Sequence, residues 1–253
     1  MGNDKIYEIR AIEENDFEYI KESIEDYRKY NNDILIQLDG VSNKGVKLLC
    51  YFSLIESIAQ DLSNYPEREQ QKTFVEFVLK YQNKYLYLEF VDPITLFYHL
   101  ENEIQDKINL LDLMDGQVYN PLDRSIRDKV DEIREVLEKN MAKEKVEKYL
   151  IKHRYVDLLY RMRCRISHEF SYSHISINTR EEEPYYINFD RTYKIENAVL
   201  NDKVWQLSVP IQFIKNICEN CINNYLDECL RNKKIPCEND SLGRFCELSW
   251  YSR

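Results

Sequence analysis

The segment KHRYVDLLYRMRCRISH occupies residues 152–168 and lies inside a run, 123–170, that is almost free of Gly and Pro. Apolar residues recur along this run at Ile126, Val130, Ile133, Val136 and Leu137, then at Val146, Tyr149 and Leu150, then at Val156, Leu159 and Tyr160. Spacings of three and four place such residues on one face of a helix. The run therefore predicts one or two long helices, with a break near Asn140. A fold organised around it is mainly α.

Outward from this run the pattern stays largely helical. Phe17, Ile20, Ile24 and Tyr27 predict a surface helix over 14–30, whereas DILIQLD at 33–39 alternates Ile34, Ile36 and Leu38, ends at Gly40 and predicts a short strand. From an N-cap at Ser42, the positions Val46, Leu49, Cys50, Leu54, Ile58 and Leu62 predict a buried helix with one carboxylate, Glu56, inside its apolar stretch. Pro66 starts another helix, through Asn83, with Phe74, Phe77, Val78 and Tyr81 as its stripe. Asp92 before Pro93 is a cap and first-turn pair that opens a third, and GQVYNPLD at 116–123 is turn-rich. After His168, the short apolar runs of YINFDRTYKIENAVLNDKVWQLSV predict a small β-hairpin or structured loop. Pro210 then leads a last helix with Ile214, Ile217, Cys218, Cys221, Tyr225 and Cys229 on one face. The expected organisation is an N-terminal helix and strand extension over 1–42, a helical domain over 43–232, and a tail over 233–253 packed on it.

The 253 residues carry 35 Lys and Arg against 45 Asp and Glu, a net charge of −10. An acidic chain does not coat nucleic acid with its whole surface, so any site for a polyanion has to be local. With 43% apolar and 32% charged residues, five Gly and six Pro, the composition excludes disordered and collagen-like chains. No apolar stretch reaches the roughly 18 residues of a membrane span. The first thirty residues show no positively charged start followed by an apolar run, so the expected address is the cytoplasm. Seven Cys in a chain large enough to need no staples are expected as reduced thiols.

The local exception to the acidic charge is again residues 152–168, where Lys152, Arg154, Arg161, Arg163 and Arg165 face one acid, Asp157. Guanidinium groups present a rigid fork of donors that stays charged at any working pH and suits phosphate. The pairs Asp157/Arg161 and Arg165/Glu169, four apart, equally suit solvated ion pairs on an exposed face. The chemical signal is Arg163 followed by four residues and then His168, among Leu158, Leu159, Met162 and Ile166. Histidine moves a proton near neutral pH, and arginine holds a phosphodiester and stabilises the charge that develops on it. Five residues turn an ideal helix by about 500°, so the two side chains point about 140° apart and lie about 7.5 Å apart along the axis. Either the helix ends or distorts near Ser167, or a second copy completes the site across a two-fold axis, which is the preferred arrangement.

LLYRMRCRISHEFS resembles the Arg-x4-His motif at the end of a helix in HEPN domains, all-helical modules that are frequently ribonucleases of bacterial defence and toxin systems. YFSLIESIAQ resembles an early helix of that bundle and WQLSVPIQFIKNICENCINNYL its closing helix, so the resemblance spans roughly 43–230, with the short motif as its most specific part. It implies that Arg163 binds and polarises the scissile phosphate and that His168 transfers a proton. It also implies a homodimer working without metal or cofactor, in which the 2′-hydroxyl of the RNA attacks and leaves a cyclic phosphate. The sequence departs from the family at Cys164, where a polar residue is common, which touches positioning more than chemistry. An antitoxin, activating partner or ligand fits the same resemblance.

Around that motif, Glu56 is expected either to orient Arg163 or to reach solvent or a lysine such as Lys47. Arg161 and Arg165 line an RNA groove or face water, and Tyr160 and Tyr172 are candidates to stack on bases. Cys218-x2-Cys221 has the spacing of a metal knuckle but lacks a second CxxC and a nearby His, and both thiols fall on a core stripe. His99, His153 and His174 are scattered, with His153 beside Arg154 in the basic segment. Two rival readings stand beside the nuclease. One is an inactive HEPN-like module for dimerisation or nucleotide and RNA binding in a defence complex. The other is an interaction protein in which Arg163 pairs with Glu56 and His168 caps its helix.

Overall fold

A computed structural model describes residues 14–62, 69–100, 104, 120–169, 175–178, 181–195 and 198–236. Along these the chain forms α1 (Glu14–Asp39), α2 (Lys44–Leu62), α3 (Gln70–Tyr81), a 3-10 turn (Leu86–Glu89), α4 (Pro93–Tyr98), α5 (Arg124–Asn140), α6 (Lys143–Ile151) and α7 (Tyr155–Glu169). Strands β1 (Ile175–Asn178), β2 (Tyr185–Ile195) and β3 (Ala198–Pro210) follow, and α8 (Ile211–Arg231) closes the chain. The fold is mainly helical, as expected. Among the described residues no helix is long and apolar enough to cross a membrane.

The strand predicted at 33–39 does not form. Residues 33–39 are the last two turns of α1. A strand would put Ile34, Ile36 and Leu38 on one face. Instead Leu35 and Leu38, three apart, are buried, and Ile36 is 67% exposed. The reason is tertiary: Ile20, Ile24, Leu35 and Leu38 join the main core at helical spacing. Polar ties at the rim fix α1 on α8, with Arg28 donating to Asn223 at 2.6 Å and Asp227 at 2.8 Å, and Lys215 to Asp39 at 2.6 Å.

The main core gathers α1, α2, α3, α7, α8 and the near end of the sheet around fully buried Tyr51, Ile55, Ile58, Val78, Val156, Tyr186, Ile214, Cys218 and Leu226. Each such large apolar side chain contributes about 1.5–3 kcal/mol by leaving water. Cys218 and Cys221 are small hydrophobes in this core, and burial pushes both thiols well up. A second cluster, from α4, α5 and α6, packs Leu96, Ile133, Leu137, Val146 and Leu150, with Phe97 touching both clusters.

The long run divides into three helices rather than one or two. The expected break falls at Met141, whose backbone is extended after Asn140. A further break at 152–154 comes from pairing, because Arg154 bridges Val91: Asp92 N–H donates to the His153 carbonyl at 2.8 Å and Tyr155 N–H to that of Phe90 at 3.0 Å. The predicted hairpin is present, with β2 and β3 antiparallel from Tyr185↔Ser208 to Ile195↔Ala198. It gains a third strand, since β1 pairs parallel with β3 from Ile175↔Leu207 to Asn178↔Pro210, giving the order β1-β3-β2. β3 runs directly into α8 through Pro210, whose missing N–H suits a helix start. Of the predicted tail, residues 237–253 lie outside the described residues.

Candidate functional site

α7 is oriented by its apolar face: Val156, Leu158, Leu159, Met162 and Ile166 are buried in the main core. Its polar residues emerge on two other sides.

On one side is Arg163. Its Nε donates to Glu56 Oε2 of α2 at 2.8 Å, and its Nη2 meets the same oxygen at 2.6 Å. The Glu56 side chain is 14% exposed and that of Arg163 21%, so the pair is mostly shielded while the guanidinium keeps an open edge. Glu56 Oε1 is buried and has no hydrogen-bond partner among the described residues. Burial pushes the Glu56 carboxyl up, and the pull of Arg163 does not overcome it; for Arg163, burial lowers and Glu56 raises, with a net rise. Of the two sequence expectations for Glu56, the structure has the pairing with Arg163. Lys47 instead donates to the Asp39 carbonyl at 3.0 Å. Tyr160, one turn before Cys164, packs its ring on Phe74 with centroids 5.5 Å apart, and burial pushes its phenol up to about 12.

On the other side lie Arg161, Arg165 and His168, at the i, i+4, i+7 positions of one helix face. His168 sits exposed in the last turn, and its side chain makes no hydrogen bond or ion pair among the described residues. Arg163 and His168 of one chain are therefore not brought together, as the helical geometry requires. α7 neither ends nor distorts at Ser167 but continues to Glu169. Arg161 turns back to donate Nη2 to the Lys152 carbonyl at 2.5 Å. The Asp157/Arg161 pair that the spacing suggests is absent: Asp157 accepts Arg154 Nε at 2.8 Å and Gln71 Nε2 at 3.0 Å. Tyr172 lies outside the described residues, as does the Glu169 side chain. An open groove of about 580 Å3 lined by Gln71, Lys72, Glu76, Arg154 and Asp157 adjoins the N-terminal end of α7, but its Arg and Asp already satisfy each other.

Sequence reasoning missed two constellations. Asp92, fully buried, caps α4 through the N–H groups of Ile94 and Thr95 and accepts the hydroxyls of Thr95 and of Tyr186 at 2.6 Å, while Tyr186 also meets the Tyr155 hydroxyl. The cap was legible in Asp-Pro, but the tyrosines reach it from far along the chain. The second is a histidine pair. His153, 4% exposed, donates Nδ1–H to the Tyr149 carbonyl at 2.7 Å, and its Nε2 lies 3.2 Å from His99 Nδ1. His99 Nδ1 also lies 2.7 Å from the Thr95 carbonyl. A separation of 54 residues left no sequence signal for the contact.

No protein-family model matches this chain, and no curated protein or solved structure matches it.

Proposed function

We propose that the chain is an endoribonuclease of the HEPN type, a homodimer in which Arg163 and His168 of both copies face one cleft and cleave RNA through attack by its 2′-hydroxyl. The observation that carries this reading is the seating of Arg163: a carboxylate from α2 takes Nε and Nη2, fixing a guanidinium that stays about a fifth exposed beside the polar end of α7. A fork held in this way is preorganised for a phosphodiester, because its orientation costs nothing further when charge develops. His168, exposed one and a half turns on, is free of competing bonds among the described residues and accessible to a partner copy. Metal independence, the 2′-hydroxyl chemistry and a role in antiviral defence or toxicity come from the motif's resemblance, as does control by an antitoxin, partner or ligand.

One observation favours the inactive-module alternative: Glu56 already satisfies two donors of Arg163, so the pair also makes sense as a strut between α2 and α7. The test is to incubate the protein with mixed cellular RNA in EDTA beside Arg163→Ala and His168→Ala variants of confirmed folding. Cleavage lost in both variants, leaving cyclic-phosphate ends, upholds the nuclease. A wild type that leaves RNA intact, or variants that cut equally well, transfers the reading to the module.

A further inference from the structure

The seam between the two hydrophobic clusters carries a group of cationic and titratable residues on the face of α7 away from Glu56. Arg161 anchors it. Among the described residues its buried Nε has no hydrogen-bond partner and it makes no ion pair, while its Nη2 holds the Lys152 carbonyl. Among the described residues, the carboxylates whose charge reaches it are committed elsewhere: Asp157 to Arg154 and Gln71, Asp92 to Thr95, Tyr186 and two backbone N–H groups. Burial disfavours the charged guanidinium of Arg161, the attraction of Asp157 and Asp92 does not fully offset it, and an anion from outside relieves it.

The Lys152 carbonyl that Arg161 grips belongs to the peptide leading into His153, so the histidine pair adjoins the guanidinium. Proton placement in this pair is constrained. The Tyr149 carbonyl only accepts, so the single proton of neutral His153 is on Nδ1 and its Nε2 is an acceptor. His99 must then carry a proton on Nδ1, shared between His153 Nε2 and the Thr95 carbonyl. The outer nitrogen of His99, Nε2, is left without a partner among the described residues, on an exposed side chain. His153 acts as a positioning residue that fixes the ring and tautomer of His99. Two histidine nitrogens 3.2 Å apart are a poor cation site here, because Arg161 and Lys152 place positive charge at His153 and no third ligand joins them among the described residues. The local field selects an anion.

We propose that Arg161 and the outer nitrogen of His99, oriented by His153 and assisted by the charge of Lys152, form a second phosphate site that binds a phosphoryl anion. It uses residues other than Arg163 and His168 and stands whether or not the chain cuts RNA. Protonated His99 donates Nε2–H to the anion and Arg161 supplies charge-assisted donors, while Asp92 and Asp157 are the opposing charges facing the site.

The experiment follows the imidazole C2–H signals of the four histidines by NMR while inorganic phosphate is titrated at constant ionic strength, with calorimetry for affinity. Saturable binding that shifts the His99 C2–H signal is expected. Arg161→Gln and His99→Asn each weaken it roughly 10-fold or more, and Arg163→Gln leaves the His99 response in place. Arg161→Lys, which keeps the charge and loses the fork, replaces Arg161→Gln if circular dichroism shows that variant unfolded. A parallel titration with a 5′-mononucleotide separates sources: equal affinity assigns free phosphate, and tighter binding assigns a nucleotide end. No saturable binding at tens of millimolar phosphate, or binding that survives both Arg161→Gln and His99→Asn, overturns the site.

Discussion

Acid should unfold this protein through His153. Its imidazole is 4% exposed, and burial, with the positive charge of Arg161, His99 and Lys152, holds it down to about 4 against an ordinary 6.5. Between those values the unfolded chain takes up a proton at His153 that the folded chain refuses, so stability is full above 6.5 and falls as pH drops toward 4. With 1.36 kcal/mol per pKa unit, the loss from this residue is about 2 kcal/mol between pH 7.5 and pH 5, and about 3 kcal/mol at pH 4. Urea unfolding at both pH values, on wild type and on His153→Gln, isolates the effect because all other groups titrate in both proteins. The glutamine variant loses about 1–3 kcal/mol at pH 7.5, from its disturbed bonds to Tyr149 and His99. Its further loss on going to pH 5 should be smaller than that of wild type by about 2 kcal/mol, or roughly 4–8 °C in Tm for a chain of this size. Parallel pH dependences in the two proteins would refute a buried, neutral His153 and the proton placement built on it.

Leu35→Ala should cost about 2–5 kcal/mol in urea unfolding and Ile36→Ala under about 0.5, since one is 3% and the other 67% exposed; the reverse order would restore a strand at 33–39. Tyr186→Phe removes a hydroxyl shared with Asp92 and Tyr155 in the buried centre and should cost about 1–3 kcal/mol, and an unchanged midpoint would deny that network any energetic role. Glu56→Gln and Arg163→Gln should be non-additive in stability by about 1–3 kcal/mol in a double-mutant cycle, whereas additive losses would mean that the 2.6 Å contact does not persist in solution. If the nuclease reading holds, Glu56→Gln should also slow RNA cleavage at unchanged dimer content, because the fork of Arg163 loses its anchor, and undiminished rates would separate Glu56 from the chemistry.

The helical architecture was legible in local sequence, because a 3.6-residue period, Asp-Pro and Pro caps, and scarce Gly act within a few turns of chain. That is why α2, α4, α5, α7 and α8 lie close to where their apolar stripes put them. DILIQLD misled because four apolar residues within five positions fit both periods, and only the surfaces of α2 and α8 decide which of its side chains are covered. The extra break at 152–154 and the parallel strand β1 have the same origin, since each needs a partner, Val91 or β3, that no local pattern announces. In the candidate site, the basic run and the Arg-x4-His spacing were plain in the sequence, and so was the angle between Arg163 and His168, which helix geometry sets alone. Tertiary structure decided the rest. It seats Glu56 under Arg163, turns Arg161 away to the Lys152 carbonyl and sets His99 against His153, because charge partners in a folded chain are chosen by proximity in space and by the need to satisfy what burial has stripped of water.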